Sequence, residues 1–360
     1  MIREHQPSAP LTSIRIGGPA DLLAQPKTLD ELREVLSLAK ERSLSVKIMG
    51  GGSNLVMADE GLRGLLIQPL LRDVRRLDPK EYAIYQPGLT ALREQITVQA
   101  RYRSEQGEGF LHLEDRGPAI TLKDPVLVEM GAAVPWGQAV ISSLQQNLAG
   151  LHWFARIPCH VGGATYNNIH AEHHFLSEFV CAVHVLDRES GEERVLMAGD
   201  LEFGYDYSRF HHESSVITSV ILALEPVTPE EAKFCQSQYL EWTAQKNKIQ
   251  PKEPNCGSVF KNVSFEEASR IGQEAVAAGW YIDQAGLKGK QIGGLQVYPG
   301  HANFIINTGG GTQVDFIQLV TEIRERVFEQ FGVMVEPEVE CCNSEGVSYT
   351  WLKNRSTGSF

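Results

Sequence analysis

Leu32, Val35, Leu36 and Ala39 recur at the i, i+3, i+4, i+7 spacing of one helix face. Thr28-Leu-Asp-Glu31 precedes them as a capping box, so the pattern predicts an amphipathic helix over 29–42. Ser45–Met49 predicts a short strand running into Gly50-Gly51-Gly52, and Leu65–Ile67 a second, buried strand. Val126–Met130 predicts another strand, followed by a helix with Trp136, Val140, Leu144 and Leu148 on one face. β-branched residues crowd Val180–Asp187 and Val216–Leu224, which therefore predict strands. The two prolines in Glu225-Pro-Val-Thr-Pro229 mark a domain boundary, with residues 230–246 helical beyond it. Phe316, Leu319, Val320, Ile323 and Val327 lie on one face of a closing helix.

Residues 72–123 break this pattern. They carry many Arg and Glu, few apolar runs, and the turn signals YQPG and EDRGP. They are expected to form an inserted, solvated excursion, partly helical around 89–103.

Composition narrows the function classes. The chain has 360 residues, a net charge of -12 and 42% hydrophobic residues, which fits a soluble globular protein of two or three domains. An acidic chain argues against a general nucleic-acid binder, although a locally basic pocket can still take an anion. The six cysteines show no C-x-x-C pair, as expected in a reducing cytoplasm. MIREHQPSAPLTS has no apolar core of a secretory signal, and no run is long enough for a membrane span. A cytoplasmic location without membrane insertion is the expectation.

Two glycine triplets invite chemistry. Gly50-Gly51-Gly52-Ser53-Asn54-Leu55 lacks the Gly-Lys-Ser/Thr of a Walker loop, and G-x-G-x-x-G fails at its last position. What remains is bare backbone N–H with a hydroxyl and an amide, either a diphosphate cradle or a tight turn. The second triplet, Asn307-Thr-Gly-Gly-Gly-Thr312, reads as a strand-to-helix turn, with Thr312 and Asp315 suited to a helix start.

LTSIRIGGPAD (11–21), IMGGGSNLV (48–56), CGSVFKN (256–262), and AGWYIDQAGLKGKQIGG, HANFIINTGG and VEPEV within 278–339 occur in this order. Together they resemble the UDP-N-acetylenolpyruvoylglucosamine reductase (UDP-N-acetylmuramate dehydrogenase) family. The resemblance spans most of the chain apart from 72–123. It implies an α+β protein: a two-lobed p-cresol-methylhydroxylase-type FAD-binding domain followed by an α+β substrate-binding domain. The corresponding stretches are 1–70 and 71–227 for the lobes, 228–337 for the substrate domain, and 338–360 for a C-terminal segment.

The implied activity is NADPH-dependent, FAD-mediated reduction of an enolpyruvyl UDP-sugar for peptidoglycan precursor synthesis. The implied flavin is noncovalent, and no metal is implied. Gly50, Gly51, Gly52, Ser53, Asn54 and Leu55 correspond to the diphosphate loop, and Ile157, Pro158, Val161, Gly162 and Gly163 to the segment along the flavin. Ser258 corresponds to the acid that protonates C2, and Glu338 to a catalytic glutamate near it. Asn262, Lys288 and His301 correspond to positions lining the substrate site. Lys246, Lys248, Lys252, Lys261 and Lys290 add local positive charge suited to a UDP-sugar.

Three departures stand out. Phe203-Gly-Tyr-Asp206-Tyr-Ser208-Arg209 has an aspartate where the family has a catalytic arginine. Arg209 and Arg156 are the candidate replacements; on a strand, Arg209 would face away from position 206. His170-Ala-Glu172-His173-His174 replaces small residues and is open to three readings: a metal site, a flavin or substrate contact, or a surface loop. His170 and His174 have the spacing to share a helix face. Cys159 replaces a family glycine, which raises covalent flavin attachment as a minor alternative. The departures keep two further functions in view, a flavin enzyme of this fold with another substrate and a degenerate nucleotide-binding homologue.

Overall fold

The computed structural model describes residues 2–105, 120–171, 174–274 and 276–349, with backbone alone over 96–105. The chain divides into two compact units. The first comprises Met1–Ala24, Ser43–Ile67 and Lys246–Phe360, and the second Gln25–Arg42 and Gln68–Gln245.

In the first unit, a four-stranded sheet runs in the order Ile2–Pro7, Pro19–Ala24, Leu62–Ile67, Val46–Ile48. A second, antiparallel sheet runs Asn255–Ser258, Phe304–Asn307, Leu295–Val297, Gln291–Ile292. The helix Gln313–Phe331 buries the predicted Phe316, Leu319, Val320, Ile323 and Val327 in a core shared with Val297, Ile305 and Tyr281. Ile14 and Ile16 of the N-terminal motif enter that same core.

The start of this helix is filled by the chain itself. Thr312 caps it with Asp315 in a reciprocal box. The Asp59 carboxylate accepts from the amides of Gln313 at 2.7 Å and Val314 at 3.2 Å. The second glycine triplet is thus a strand-to-helix turn, as its residues predict.

The second unit is built on an antiparallel sheet ordered Glu193–Met197, Val180–Asp187, Ser215–Pro226, Val126–Gly131, Val74–Arg76, with Leu148–Ala149 paired to the end of Ser215–Pro226. Alternate residues serve opposite faces. Val126, Val128, Val183, Val220 and Leu222 pack in one core with Trp136 and Val140, while Leu127, Cys181, Ala182, Ile221 and Ala223 enter another. Leu29–Glu41 is helical, with Leu32, Val35, Leu36 and Ala39 buried, as predicted. Leu148 is not on the helix Trp136–Gln145; Asn147 turns the chain at φ 57°, and Leu148 joins the short strand.

The expectation for 72–123 needs correction. Val74–Arg76 is an edge strand of the sheet, and the helix Tyr82–Glu105 covers its second face. Leu77, Tyr85, Leu89 and Leu92 are buried there against Cys181, Ile221 and Ala223. Gly88 permits this approach, because a Cβ at 88 would lie 2.2 Å from the Cys181 carbonyl oxygen. Residues 106–119 of the stretch lie outside the described residues.

The helix Pro229–Ile249 stays with the second unit as far as Gln245, with Cys235 and Trp242 in the core beside Trp153. The second unit thus extends through most of this helix, to Gln245.

Leu92, fully buried, tests the correction. Leu92→Ala should lower unfolding free energy by about 2–4 kcal/mol in chemical denaturation. A residue on a solvated excursion would give a change near zero.

Candidate active site

Gly50–Asn54 form the loop between the strands Val46–Ile48 and Leu55–Val56. Two of its glycines serve different ends. Gly52 has φ +66°, and a Cβ there would lie 2.2 Å from the Leu11 carbonyl oxygen. It is glycine so that the N-terminal motif can pack against it. At Gly50 a Cβ would meet nothing within 4 Å. The loop thus offers side-chain-free backbone facing open space, which fits a diphosphate held by amides.

Ser258 ends the strand Asn255–Ser258, opposite Phe304. The register shifts between Asn255 and Ser258, where Gly257 has φ +83° and its amide donates to Asn255 Oδ1 at 3.0 Å. The bulge re-aims Ser258. Glu338 is brought beside this strand by its own amide, which donates to the Val259 carbonyl at 2.9 Å. Phe260 and Pro337 form the adjoining bridge, and Asn303 stitches Phe260 from both sides. Residues 79 positions apart in sequence, counting 338 − 259, thus share one short backbone junction.

The three expected substrate residues lie in the same unit. Asn262 Oδ1 accepts from the Ala278 amide at 3.3 Å, at the start of the helix Ala278–Gln284. His301 is half-buried, with its ring against Phe304, the partner of Ser258. Burial holds its imidazole below the ordinary histidine range, and the Lys288 charge lowers it further. Its Nδ1 accepts from the Asn303 amide at 3.3 Å, which leaves Nε2 as the donor of the neutral ring. The lysines are less exposed as charge than their number implies. Lys288 pairs with Asp283 and Lys290 with Glu322, each at 2.6 Å.

In the second unit, Ile157–Gly163 is stitched along residues 132–136. Val161 and Gly162 donate to the carbonyls of Val134 and Ala132 at 2.9 and 2.8 Å, and Trp136 donates to that of Cys159. Gly162 abuts Ala132, whose Cβ would lie 2.8 Å from an added Cβ, whereas Gly163 faces open space. Pro158 is exposed, and Ile157 packs against the core. Burial pushes the Cys159 thiol up to about 12, so little thiolate exists for a covalent bond to a cofactor. Arg156 sits just before the segment in the left-handed region, φ 63°.

The segment around Asp206 is a turn, not a strand. Gly204 and Tyr207 bond across it, and Asp206 has φ 49°, a conformation Asp tolerates better than most residues. Its Oδ1 lies 3.3 Å from His170 Nε2. Arg209 opens a single 3-10 turn, so strand alternation does not govern its direction. Its Nε meets Glu213 at 2.6 Å, and Nη1 donates to the Asp200 carbonyl at 2.7 Å.

His170 and His174 do not share a helix. His170–Ala171 and His174–Phe175 pair as an antiparallel ribbon. His170 reaches Asp206, while His174 bonds Glu178 at 2.9 Å and stacks on Trp153. Glu172 and His173 lie outside the described residues. Among the described residues no group of three His, Cys, Asp or Glu is placed to hold a metal ion.

Sequence reasoning put Asn54 in the cofactor loop but missed its inward bond: Nδ2 donates to the Glu338 carbonyl at 3.0 Å. It also left out Ser13, whose Oγ donates to the Asn255 carbonyl at 2.6 Å. The LTSIRIGG motif was the available signal for Ser13.

Comparisons with known proteins identify relatives of the chain. Residues 250–342 match the family model described as UDP-N-acetylenolpyruvoylglucosamine reductase, C-terminal domain, and residues 20–102 match an FAD binding domain. The chain is 32% identical to the UDP-N-acetylenolpyruvoylglucosamine reductase of Moorella thermoacetica over 337 residues, 93% of this chain and 91% of that one. It is 30% identical to that of Gloeobacter violaceus over 330 residues, 91% and 92% of the two chains. The crystal structure of UDP-N-acetylenolpyruvylglucosamine reductase from Thermus caldophilus aligns with a TM-score of 0.64 at 25% identity, over 95% of this chain and 98% of that one. The α+β fold with an FAD-binding domain is thereby borne out.

The His301 environment makes a prediction of its own. Its imidazole should titrate below pH 6.5 in an NMR pH series, and Lys288→Ala should move the midpoint upward, since a neighbouring cation is removed.

Proposed function

Because the chain belongs to the UDP-N-acetylenolpyruvoylglucosamine reductase family, we propose that it reduces UDP-N-acetylenolpyruvoylglucosamine to UDP-N-acetylmuramate for peptidoglycan precursor synthesis. The observation that carries this reading is the backbone junction of Ser258 and Glu338, at full-length similarity to reductases. FAD, held noncovalently and reduced by NADPH, supplies the hydride. The Gly50–Leu55 loop is the proposed diphosphate cradle; Ile157, Pro158, Val161, Gly162 and Gly163 are the proposed cofactor contacts of the second unit.

The protein handles charge. Hydride addition at C3 of the enolpyruvyl group leaves negative charge on C2 and its carboxylate. Two services follow: donors for the carboxylate and an acid for C2. Ser258 is the proposed acid. A hydroxyl is a weak acid, but the carbanion-like acceptor is strongly basic. Glu338, anchored through Val259, is the proposed partner at C2. Asn262, Lys288 and His301 are the proposed substrate contacts, with neutral His301 donating from Nε2.

The family arginine has no counterpart at position 206. Arg209, a guanidinium three residues on, is the proposed substitute. To act, it must leave Glu213 and the Asp200 carbonyl. The aspartate itself favours a second reading, the same flavin chemistry with a different acceptor. The proposed location of the reaction is the cytoplasm, where nucleotide sugar and NADPH are supplied. Among the described residues no helix is long and apolar enough to cross a membrane.

The purified chain should carry or bind flavin and oxidise NADPH only when the enolpyruvyl UDP-sugar is present. Flavin without substrate-dependent oxidation would move the assignment to the second reading, and failure to bind flavin would overturn both. Ser258→Ala should retain flavin reduction by NADPH and slow flavin reoxidation by substrate about 10²-fold or more in stopped-flow traces. Equal reoxidation would remove Ser258 from its role.

A further inference from the structure

Glu338 is held at both of its peptide groups. Its N–H donates to the Val259 carbonyl at 2.9 Å, and its own carbonyl accepts from Asn54 Nδ2 at 3.0 Å. One anchor is the residue directly after Ser258. The other is the asparagine of the glycine loop. Two residues on, the Glu340 amide donates to the Asn54 carbonyl at 3.1 Å, so Asn54 grips the segment by side chain and backbone together.

A second connection runs beside the first. The Ser13 amide donates to the Gly52 carbonyl at 2.9 Å, and Ser13 Oγ donates to the Asn255 carbonyl at 2.6 Å. Asn255 Oδ1 in turn accepts from the Gly257 amide, at the bulge that sets Ser258. The glycine loop is therefore bonded to Glu338 directly and, by way of Ser13 and Asn255, to Gly257, the residue before Ser258.

We infer that Asn54 and Ser13 are positioning residues that lock Glu338 and Ser258 to the glycine loop, so that order in the loop sets the geometry of the protonation step. This rests on the roles proposed above for Ser258 and Glu338. The chemistry explains why such a lock matters. Proton delivery to C2 needs an acid within hydrogen-bond reach, and a misplacement of about 1 Å costs about 10²-fold in rate. Glu338 lies outside any strand, two residues before Glu340–Cys341, and Ser258 ends a bulged strand. Bonds to one shared loop give both a common frame. An asparagine suits the task at 54, since its carboxamide donates to a carbonyl, which the carboxylate of an aspartate cannot do.

The test uses the full-length, FAD-loaded protein with Asn54→Ala and Ser13→Ala. Amide hydrogen exchange is the first readout. Asn54→Ala should raise exchange at Glu338 and Glu340 about tenfold or more, and Ser13→Ala should do so at Gly257 and Val259. Unchanged exchange at these amides would overturn the inference. Stopped-flow is the second readout. Reoxidation of reduced flavin by the enolpyruvyl UDP-sugar should slow at least tenfold more than flavin reduction by NADPH. Parallel slowing of both half-reactions would reduce Asn54 to a cofactor contact and also overturn it. If Asn54→Ala does not retain flavin, Ser13→Ala and Asn54→Asp carry both readouts. If the wild type shows no substrate-dependent reoxidation, the proposed function fails, while the exchange data still decide whether the lock exists.

Discussion

The parallel pairing of Glu340–Cys341 with Leu55–Val56 is the contact on which the first unit's site depends. A ladder of two residues is too short to hold by backbone bonds alone. Val339, Cys341 and Cys342 are buried around it, and Cys342 Sγ packs on Met57 Sδ at 3.4 Å. The Lys47 ammonium meets the Glu340 carboxylate, which Ser348 also contacts. Removing one partner from such a half-buried pair leaves the other charge uncompensated. Burial of Val339, Cys341 and Cys342 and the Lys47–Glu340 pair together hold the segment in this register. With that segment in place, Glu338 lies between the glycine loop and the Ser258 strand.

The second unit solves a different problem. Its central strands are covered on both sides, and their alternate residues feed two cores. Such strands read as nearly continuous apolar runs, which is why Val180–Asp187 and Val126–Met130 were legible in the sequence. The helices Leu29–Glu41 and Gln313–Phe331 were equally plain, because a cap and a one-sided apolar stripe agree. The glycine loop, the Ser258 strand and the segment of Glu338 were legible as motifs, though their mutual bonds were not. Hydrogen bonds between a side chain at 54 and a carbonyl at 338 leave no periodic trace.

What stayed illegible has physical causes. The helix Tyr82–Glu105 contributes Tyr85, Leu89 and Leu92 to the core from within a stretch rich in charge and interrupted by Pro87. Three buried residues spread over two turns do not stand out from a solvated pattern. What makes the packing close is an absence, the missing side chain of Gly88 against the Cys181 carbonyl. Leu148 failed for the opposite reason. It continued the helical spacing of Trp136, Val140 and Leu144, but Asn147 takes a left-handed conformation, and the helix ends before Leu148. Periodicity cannot register a single residue that turns the chain.

Asp206 and His170 looked like separate departures from the family pattern, one a charge inverted and the other a bulky residue among small ones. In the fold they touch, His170 Nε2 to Asp206 Oδ1 at 3.3 Å. The Asp206 side chain is only 14% exposed, and the imidazole lies beside it. The left-handed turn at φ 49° also suits aspartate better than most residues. The departures at positions 206 and 170 thus meet at one contact, which can couple them. A double-mutant cycle on His170 and Asp206 would measure that coupling, and additive effects on stability would show that the pair carries none.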